Sequence, residues 1–589
     1  MTRLSAKTRA TPTAYLFLTP FIVVFAISIV VPLGYALWIS FFRKQMIGGT
    51  VFVGFGNYLR ALGDALLHDA VLRVIVFLLL QVPIMLGIAM FVALAIDSGR
   101  LAGSRIVRIG LFLPYAVPAV VAALMWGYIF GSQFGLAGQL FGSLGLPTPD
   151  FLGPNLMLAS VGNVVTWSFV GYNMLIFYAA LRSIPTDIYE AAAIDGANEW
   201  HKAWFIKLPA LRPALVLAVI FSGIGSLQLF NEPSILGQLR PSVVTTSWTP
   251  NLYAYNLSFT GGRGDAARRL HRRRRLCGAA RCDEAGAPAV NSLAASPAPV
   301  HRSSGLRPRK SPVLTIILWM LLAYFMLPLC WLAVNATKSN VDLFGTFGLA
   351  FAPSFALFDN IGQLFAFQGG IYLRWFANTI LYAVVGAGGA ALIAAMGGYA
   401  LAKFDFHGRK AVLAIVLGAT AVPGTALAVP TYMLFTRWGL INTELAVIIP
   451  ALVSPFGLFL MLVYAQDAVP DSMIEAARID GAGEARIFWT IALPLMAPGF
   501  VTVLLFQLVA TWNNYFLPLI VLNQSDKFPL TVGLSLWNKL ANAGGVNLAQ
   551  PLYPLVITGS LLAVLPLLVA FVFLQKYWQS GIAAGGVKE

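Results

Sequence analysis

Long apolar runs separated by short polar stretches dominate the chain. A membrane-spanning helix needs about 20 apolar residues. The runs that qualify in the first half are Tyr15–Phe41, Val71–Ile96, Ile106–Phe130, Leu156–Leu181 and Leu211–Leu236. In the second half they are Val313–Val334, Phe376–Leu401, Val412–Phe435, Leu445–Tyr464, Phe500–Leu522 and Tyr553–Leu574. They are too long for barrel strands and lack their period-two alternation, so the pattern predicts an all-α polytopic membrane protein. Several runs contain proline, such as Pro83, Pro114, Pro118, Pro423 and Pro430. Membrane helices tolerate this because neighbouring groups and water satisfy the freed carbonyls.

Composition agrees with a lipid solvent. Of 589 residues, 58% are hydrophobic and only 11% charged, against about a quarter charged in soluble domains. The net charge of +16 would suggest nucleic acid in a soluble protein. Here the basic residues sit mostly between spans, where they mark cytoplasmic loops. Arg3, Lys7 and Arg9 place the N-terminus inside, as do Arg100, Arg105 and Arg108 after the second span and Lys202, Lys207 and Arg212 after the fourth. Lys403, Arg409 and Lys410, then Arg478 and Arg486, repeat the pattern in the second half. Both termini are expected in the cytoplasm. The N-terminal run is span-length without a small-residue cleavage site, so it reads as a retained helix. Cys277, Cys282 and Cys330 have no ligand pairs at zinc spacing, so neither a metal site nor a disulfide framework is expected.

An internal repeat fixes the class. At a constant offset, Glu190, Ala191, Ala192, Ile194, Asp195, Gly196, Ala197 and Glu199 are repeated as Glu475, Ala476, Ala477, Ile479, Asp480, Gly481, Ala482 and Glu484. Trp204, Ile206, Leu208, Pro209 and Pro213 recur as Trp489, Ile491, Leu493, Pro494 and Pro498, and Pro185 as Pro470. Gapless identity at so many positions marks a duplicated unit. Ala-Ala favours helix and Asp-Gly-Ala permits a turn, because glycine accepts positive φ. Each copy therefore predicts a helix–turn–helix between the fourth and fifth spans of its half. Its small residues would let a partner approach closely.

The pattern E-A-A-x3-G-x9-I-x-L-P resembles the signature loop of bacterial ABC importer permeases. Phe112-Leu113-Pro114-Tyr115 with Trp126, Gly54-Phe55-Gly56-Asn57-Tyr58, and Trp167 with Gly171-Tyr172-Asn173-Met174 resemble the maltose-type F subunit. Ala377-Asn378-Thr379, Gly398 to Lys403 with His407 to Lys410, Ser454-Pro455-Phe456-Gly457 and Trp512-Asn513-Asn514 resemble its partner G subunit. The resemblance implies two parallel-repeat type I transmembrane domains of about six spans each, fused in one chain. They would extend over 1–266 and 311–589, in the carbohydrate-uptake branch. It implies that Glu190, Ala191, Ala192, Asp195 and Gly196, with Glu475, Ala476, Ala477, Asp480 and Gly481, contact a cytoplasmic ATPase dimer. It further implies a periplasmic or lipid-anchored solute-binding protein as partner and no nucleic acid. A Walker A loop requires Gly-Lys, and no such dipeptide occurs. ATP would be used by a separate subunit, and this chain is expected to be no enzyme and to bind no cofactor.

Polar residues at membrane depth usually face a cavity, and sugars are held by hydrogen bonds and aromatic faces. Tyr172, Asn173, Asn231, Glu232, Trp512, Asn513, Asn514 and Tyr515 are the candidates for a substrate path. Helix–helix contact or interfacial anchoring is the competing role for each.

The junction is anomalous. Both signature loops must face the cytoplasm, yet only five spans separate them, so one crossing is missing. Where the first half should have its sixth span, Arg268 to Arg275 contains six arginines, each costing about 2.5–3.5 kcal/mol at mid-membrane. A basic, disordered cytoplasmic linker over 267–310 would start on the wrong side. A reading-frame shift near Ala267 that removed the sixth span and a stop codon accounts for both the composition and the parity. The alternative functions are a secondary transporter, which should carry intramembrane coupling charges, or an importer permease for a polyol or glycerol phosphate.

Overall fold

The computed structural model describes residues 4–45, 49–132, 135–259, 310–419, 422, 424–543 and 551–585. The junction read at 267–310, with Cys277 and Cys282, lies outside the described residues except for Lys310, and so does Pro423. Among the described residues the chain is helical apart from one two-stranded hairpin, Phe42–Lys44 with Thr50–Phe52. Asn57 closes that hairpin, its Nδ2 donating to the carbonyls of Ser40 and Phe42 at 2.8 Å each.

The first half contains α1 (Leu4–Phe25), continued through a π turn into α2 (Val31–Ser40). Next come α3 (Ala65–Asp97), α4 (Ser104–Phe112), α5 (Ala119–Ile129) and α6 (Met157–Arg182). Then follow α7 (Thr186–Ile194), α8 (Arg212–Leu227), α9 (Asn231–Leu239) and α10 (Pro250–Phe259). The second half has α11 (Pro312–Ala336), α12 (Ile371–Lys403), α13 (Arg409–Ala419) and α14 (Ala428–Arg437). It continues with α15 (Pro455–Ala468), α16 (Asp471–Ile479), α17 (Ala497–Trp512), α18 (Leu530–Asn542) and α19 (Leu552–Gly585).

Seven helices among the described residues are long and apolar enough to cross a membrane, and three bent pairs bring this to ten. The difference from the eleven runs has local causes. Ile106–Phe130 is broken at 102° between α4 and α5. Proline disfavours the α region in the residue before it, and Val117 before Pro118 is extended at ψ 129°. Leu211–Leu236 ends as a helix at Leu227 and restarts as α9, and Phe500–Leu522 stops at Trp512 before the two asparagines. Val412–Phe435 is divided between α13 and α14.

The halves exchange their first helices. α1 packs on α12 of the second half and α2 on α14, while α11 packs on α4 and α5 of the first half. Trp167 Nε1 donates to the Phe325 carbonyl at 2.9 Å across this junction, and one apolar core contains Trp126, Trp167, Phe325 and Trp512 from both halves. Close backbone approach explains two of the motif glycines. A Cβ on Gly171 would lie 2.1 Å from the Leu111 carbonyl, and one on Gly398 would lie 2.7 Å from Leu462 N. Small residues at membrane helix interfaces permit such contact.

Both coupling segments lie at one end of this bundle. α3 begins beside α10, where the Tyr253 hydroxyl donates to Asp64 Oδ2 at 2.7 Å. α12 begins beside the stretch leading into α18, where Trp375 donates to the Ser525 carbonyl. α18 packs on α9, so these starts share an end. The finishing ends of α3 and α12, at Asp97 and Lys403, carry the coupling segments through the ion pairs described next.

Candidate functional site

Each signature copy folds the same way, and the fold explains the spacing. α7 starts after Pro185 and α16 after Pro470, in the position where a missing N–H is harmless. Both then stop at a left-handed glycine, Gly196 at φ +77° and Gly481 at φ +81°. Gly196 N donates to the Ala193 carbonyl at 3.2 Å and Ala197 N to Ala192 at 2.9 Å. The second copy repeats this with Gly481 to Arg478 at 3.1 Å and Ala482 to Ala477 at 2.9 Å. This is the Schellman cap, which satisfies the last carbonyls and needs a residue without Cβ strain. The x3 spacing between Ala-Ala and Gly is therefore the distance from the third-last helical residue to the cap.

The cap reverses the chain and leaves an apolar side chain in the open. Ile194 is 83% exposed and Ile479 is 85% exposed. Glu190, Ala191, Asp195, Glu475, Ala476 and Asp480 are also exposed, with Ala192 and Ala477 half-buried beneath them. A Cβ at Gly196 or Gly481 would meet nothing within 4 Å, so backbone conformation alone demands glycine.

Different ion pairs hold the two copies. Lys207 Nζ lies 2.7 Å from Asp97 Oδ2 at the end of α3, both side chains buried. The Tyr189 ring sits 5.3 Å from the same ammonium. Burial, reinforced by Asp97, pushes the Tyr189 hydroxyl up to about 12. In the second copy Lys403 Nζ reaches Asp471 Oδ1 at 2.7 Å, and Arg478 Nε reaches Glu484 Oε1 at 2.6 Å. The Glu484 hydrogen bond raises the Arg478 guanidinium above its ordinary value. In the sequence these cations indicate only orientation. Their anionic partners are distant in the chain, except for Arg478 and Glu484, and leave no local signal.

The candidate path residues separate into two groups. Asn231 and Asn514 line one cavity of about 370 Å³ together with Gln228, Thr425 and Thr431. Tyr172 stacks on Tyr115 at 5.0 Å and meets Phe506 of the second half edge-on at 6.0 Å. By contrast Asn173 is buried, bonding back to the Phe169 carbonyl at 3.0 Å. Trp512 is buried with its Nε1 donating to Ala563 at 3.2 Å. Tyr515 is buried against Ser535 at 3.0 Å, Glu232 is buried in the first turn of α9, and Asn513 carries a buried Oδ1 with no side-chain partner. The ends of α8 and α17 converge, with Phe230 and Phe516 edge-to-face at 4.4 Å. Tyr115 and Phe230 were not among the candidates. Neither side chain carries an amide or a charge, although Phe230 adjoins Asn231 and Glu232 in the chain, and only the meeting of the halves brings them forward.

Two repeated helical halves with exchanged first helices and twin capped loops define a polytopic membrane permease. The chain belongs to the family described as binding-protein-dependent transport system inner membrane component, which matches residues 65–262 and again 389–583. It is 34% identical over 288 residues to the arabinooligosaccharides transport system permease protein AraQ of Halalkalibacterium halodurans, covering 48% of this chain and 100% of the relative. The lactose transport system permease proteins LacF and LacG of Rhizobium radiobacter are each 32% identical, covering 42% and 44% of this chain and 83% and 90% of their own lengths. Each relative matches less than half of this chain, in line with a fusion of two permease units. Among solved structures, a bacterial ABC transporter involved in the import of alginate covers 45% of this chain and 95% of its own at 22% identity, with a TM-score of 0.41.

Proposed function

We propose that the chain is the membrane channel of an ATP-driven, binding-protein-dependent carbohydrate importer. The twin Schellman-capped helices carry this reading. Two equivalent exposed surfaces on one end of the bundle suit a symmetric partner, and an ABC ATPase dimer offers two equivalent clefts. α7 and α16 would seat there through Glu190 to Gly196 and Glu475 to Gly481. Closure of the dimer on ATP would then rock the halves and alternate access to the space between them. That end faces the cytoplasm by the distribution of Lys and Arg, which also places both termini inside. The hydrolysing subunit and the solute receptor are separate polypeptides.

The sugar class draws on the relatives, which are permease proteins of arabinooligosaccharide and lactose transport systems. The cavity around Asn231 and Asn514 has amide and hydroxyl groups beside aromatic rings, which suits a neutral polyhydroxylated solute. The test uses cells expressing the ATPase and receptor. Replacing Gly196 and Gly481 together with valine should abolish ATP-dependent oligosaccharide uptake and ATPase co-purification at unchanged membrane level. Uptake equal to wild type would refute the coupling role. Uptake of glycerol phosphate in preference to oligosaccharide would refute the sugar class.

A further inference from the structure

A second cavity, of about 440 Å³, lies apart from the one that holds Asn231 and Asn514. It opens between the finishing ends of α5, α11 and α18 and the start of α19. α11 leaves the coupling end, where Ser311 N donates to the Arg100 carbonyl at 3.0 Å just past α3. Its 25 residues carry it about 38 Å to this cavity. The loop after α9 agrees, because it runs from Arg240 to Trp248, whose carbonyl accepts from Arg73 Nη1 near the start of α3 at 2.7 Å. The cavity therefore sits at the end of the bundle opposite the coupling segments. Aromatic rings form its wall. Tyr128 stacks on Trp331 at 6.1 Å and meets Tyr553 edge-on at 6.1 Å, and Phe344 meets Tyr553 at 5.5 Å. Arg240 is the only charged residue among the described residues that line it, and Asp150 Oδ1 lies 3.5 Å from its Nη2. Asn542 also lines it, accepting from the Tyr553 hydroxyl at 3.2 Å. A concave, mostly apolar wall with a few placed polar groups is the usual make-up of a small-molecule site.

We propose that this cavity is an outer site for one neutral sugar ring of the transported oligosaccharide, stacked on the aromatic wall and hydrogen-bonded by Arg240 and Asn542, ahead of the central cavity on the route inward. The inference rests on the carbohydrate reading above. An anion would need an uncompensated cation, and Arg240 already faces Asp150. A wholly apolar solute would leave Arg240 and Asn542 unmatched. A polyhydroxylated ring offers its C–H face to the aromatic rings and its hydroxyls to the polar groups. What separates the two cavities supports their order. The Tyr128 hydroxyl donates to Asn538 Oδ1 at 2.7 Å, Asn538 Nδ2 to Gln238 Oε1 at 2.8 Å and Gln238 Nε2 to Ser535 Oγ at 3.0 Å. Ser535 then meets the Tyr515 hydroxyl at 3.0 Å, next to Asn514 of the central cavity. The first three of these bonds each cross between the halves. Asn538 and Ser535 are buried, so the bonds form a closed polar plug whose groups need one another as partners. Tyr128 belongs to the plug and to the outer wall, and so does Asn542, whose Nδ2 donates to the Asn538 carbonyl at 2.8 Å. A sugar that draws on Tyr128 or Asn542 competes with the plug, so filling the outer site loosens the barrier to the inner one.

The test protects a cysteine at the rim. Phe344 lines the cavity and is 41% exposed, whereas Phe351 is 67% exposed and does not line it. F344C and F351C are made singly in the full chain with Cys277, Cys282 and Cys330 replaced. The purified proteins are treated with a maleimide in the presence of arabinotriose, lactose or phosphatidylglycerol. Either sugar should slow labelling of F344C and leave F351C unchanged. R240M should raise the half-protecting sugar concentration roughly tenfold, as loss of a hydrogen bond from a charged group does. The Arg240 side chain is 42% exposed, so this variant leaves the core intact, and W331L should weaken protection in the same direction. N514A, in the central cavity, should leave protection unchanged. No slowing by either sugar, equal slowing at F351C, protection lost in N514A but kept in R240M, or slowing by phosphatidylglycerol alone overturns the outer site. Arabinotriose uptake in cells with the ATPase and receptor separates the two readings. Uptake without protection overturns the outer site and leaves the proposed function standing, whereas protection without uptake supports the site and removes the importer reading.

Discussion

Removing Lys207 should destabilise the first coupling segment far more than the matching change in the second. Lys207 Nζ and Asp97 Oδ2 are 2.7 Å apart with both side chains buried. At an effective dielectric of about 20, unit charges at that distance attract by about 6 kcal/mol. Loss of hydration offsets part of this, and removing one partner of a buried pair typically costs about 3–5 kcal/mol. The second copy has no such arrangement. Ala492 stands at the position of Lys207 and is buried, and the tie runs from Lys403, whose side chain is buried like that of Lys207, to Asp471, whose side chain is 78% exposed and so open to water and salt. An exposed carboxylate of this kind contributes about 0–1 kcal/mol. K207M should therefore lower the thermal midpoint in detergent strongly and reduce substrate-stimulated ATPase in the assembled transporter. D471N should scarcely move either. Combining K207M with D97N should recover much of the loss, because no unpaired charge then remains. Equal effects of K207M and D471N, or additive losses in the double variant, would refute the reasoning.

The glycine caps give a graded test: G196N and G481N should retain most uptake, because asparagine enters the left-handed region readily, whereas G196V or G481V should cost about 1–2 kcal/mol locally and lower ATPase association. Equal behaviour of asparagine and valine would refute the cap. Alanine at Asn231, Asn514 or Tyr172 should change sugar uptake or preference at unchanged thermal midpoint. Alanine at Trp512 should instead lower the midpoint, since truncating a buried tryptophan costs about 3–5 kcal/mol; the reverse pattern would move the path away from this cavity. Single cysteines at positions 250, 310 and 480, in a background without the native cysteines, should label from outside, inside and inside. That pattern requires the chain to cross between 250 and 310 without an apolar span, contrary to the expectation that a crossing is missing. Labelling of 250 and 310 from the same side would restore that expectation and contradict the placement of Ser311 beside Arg100.

The sequence was most legible where a local rule is repeated. Glu190 to Gly196 and Glu475 to Gly481 could be read as helix then turn from residue type alone, and the structure adds which carbonyls the cap satisfies. Run length located most spans but not their breaks, because hydropathy does not distinguish a straight helix from one parted at Val117-Pro118. Roles that depend on the other half were invisible. Asn173 and Asn231 are the same residue type in similar company, yet one bonds its own helix at Phe169 and the other opens on a cavity shared with Asn514. The lack of a sixth apolar run in the first half was legible because it needs only a count of runs and the placement of charges. Its consequence was not, because it lies in burial. Leu227 and Trp512 occupy equivalent positions in a duplicated unit, yet Leu227 is 50% exposed while Trp512 is buried beneath α19, bonded to Ala563. Equivalent positions therefore differ only in part: Leu505 and Trp512 are buried where Ile220 and Leu227 are half-exposed, while Val503 and Ala218, like Tyr515 and Phe230, are buried in both halves because each faces the other half or its own bundle rather than α19.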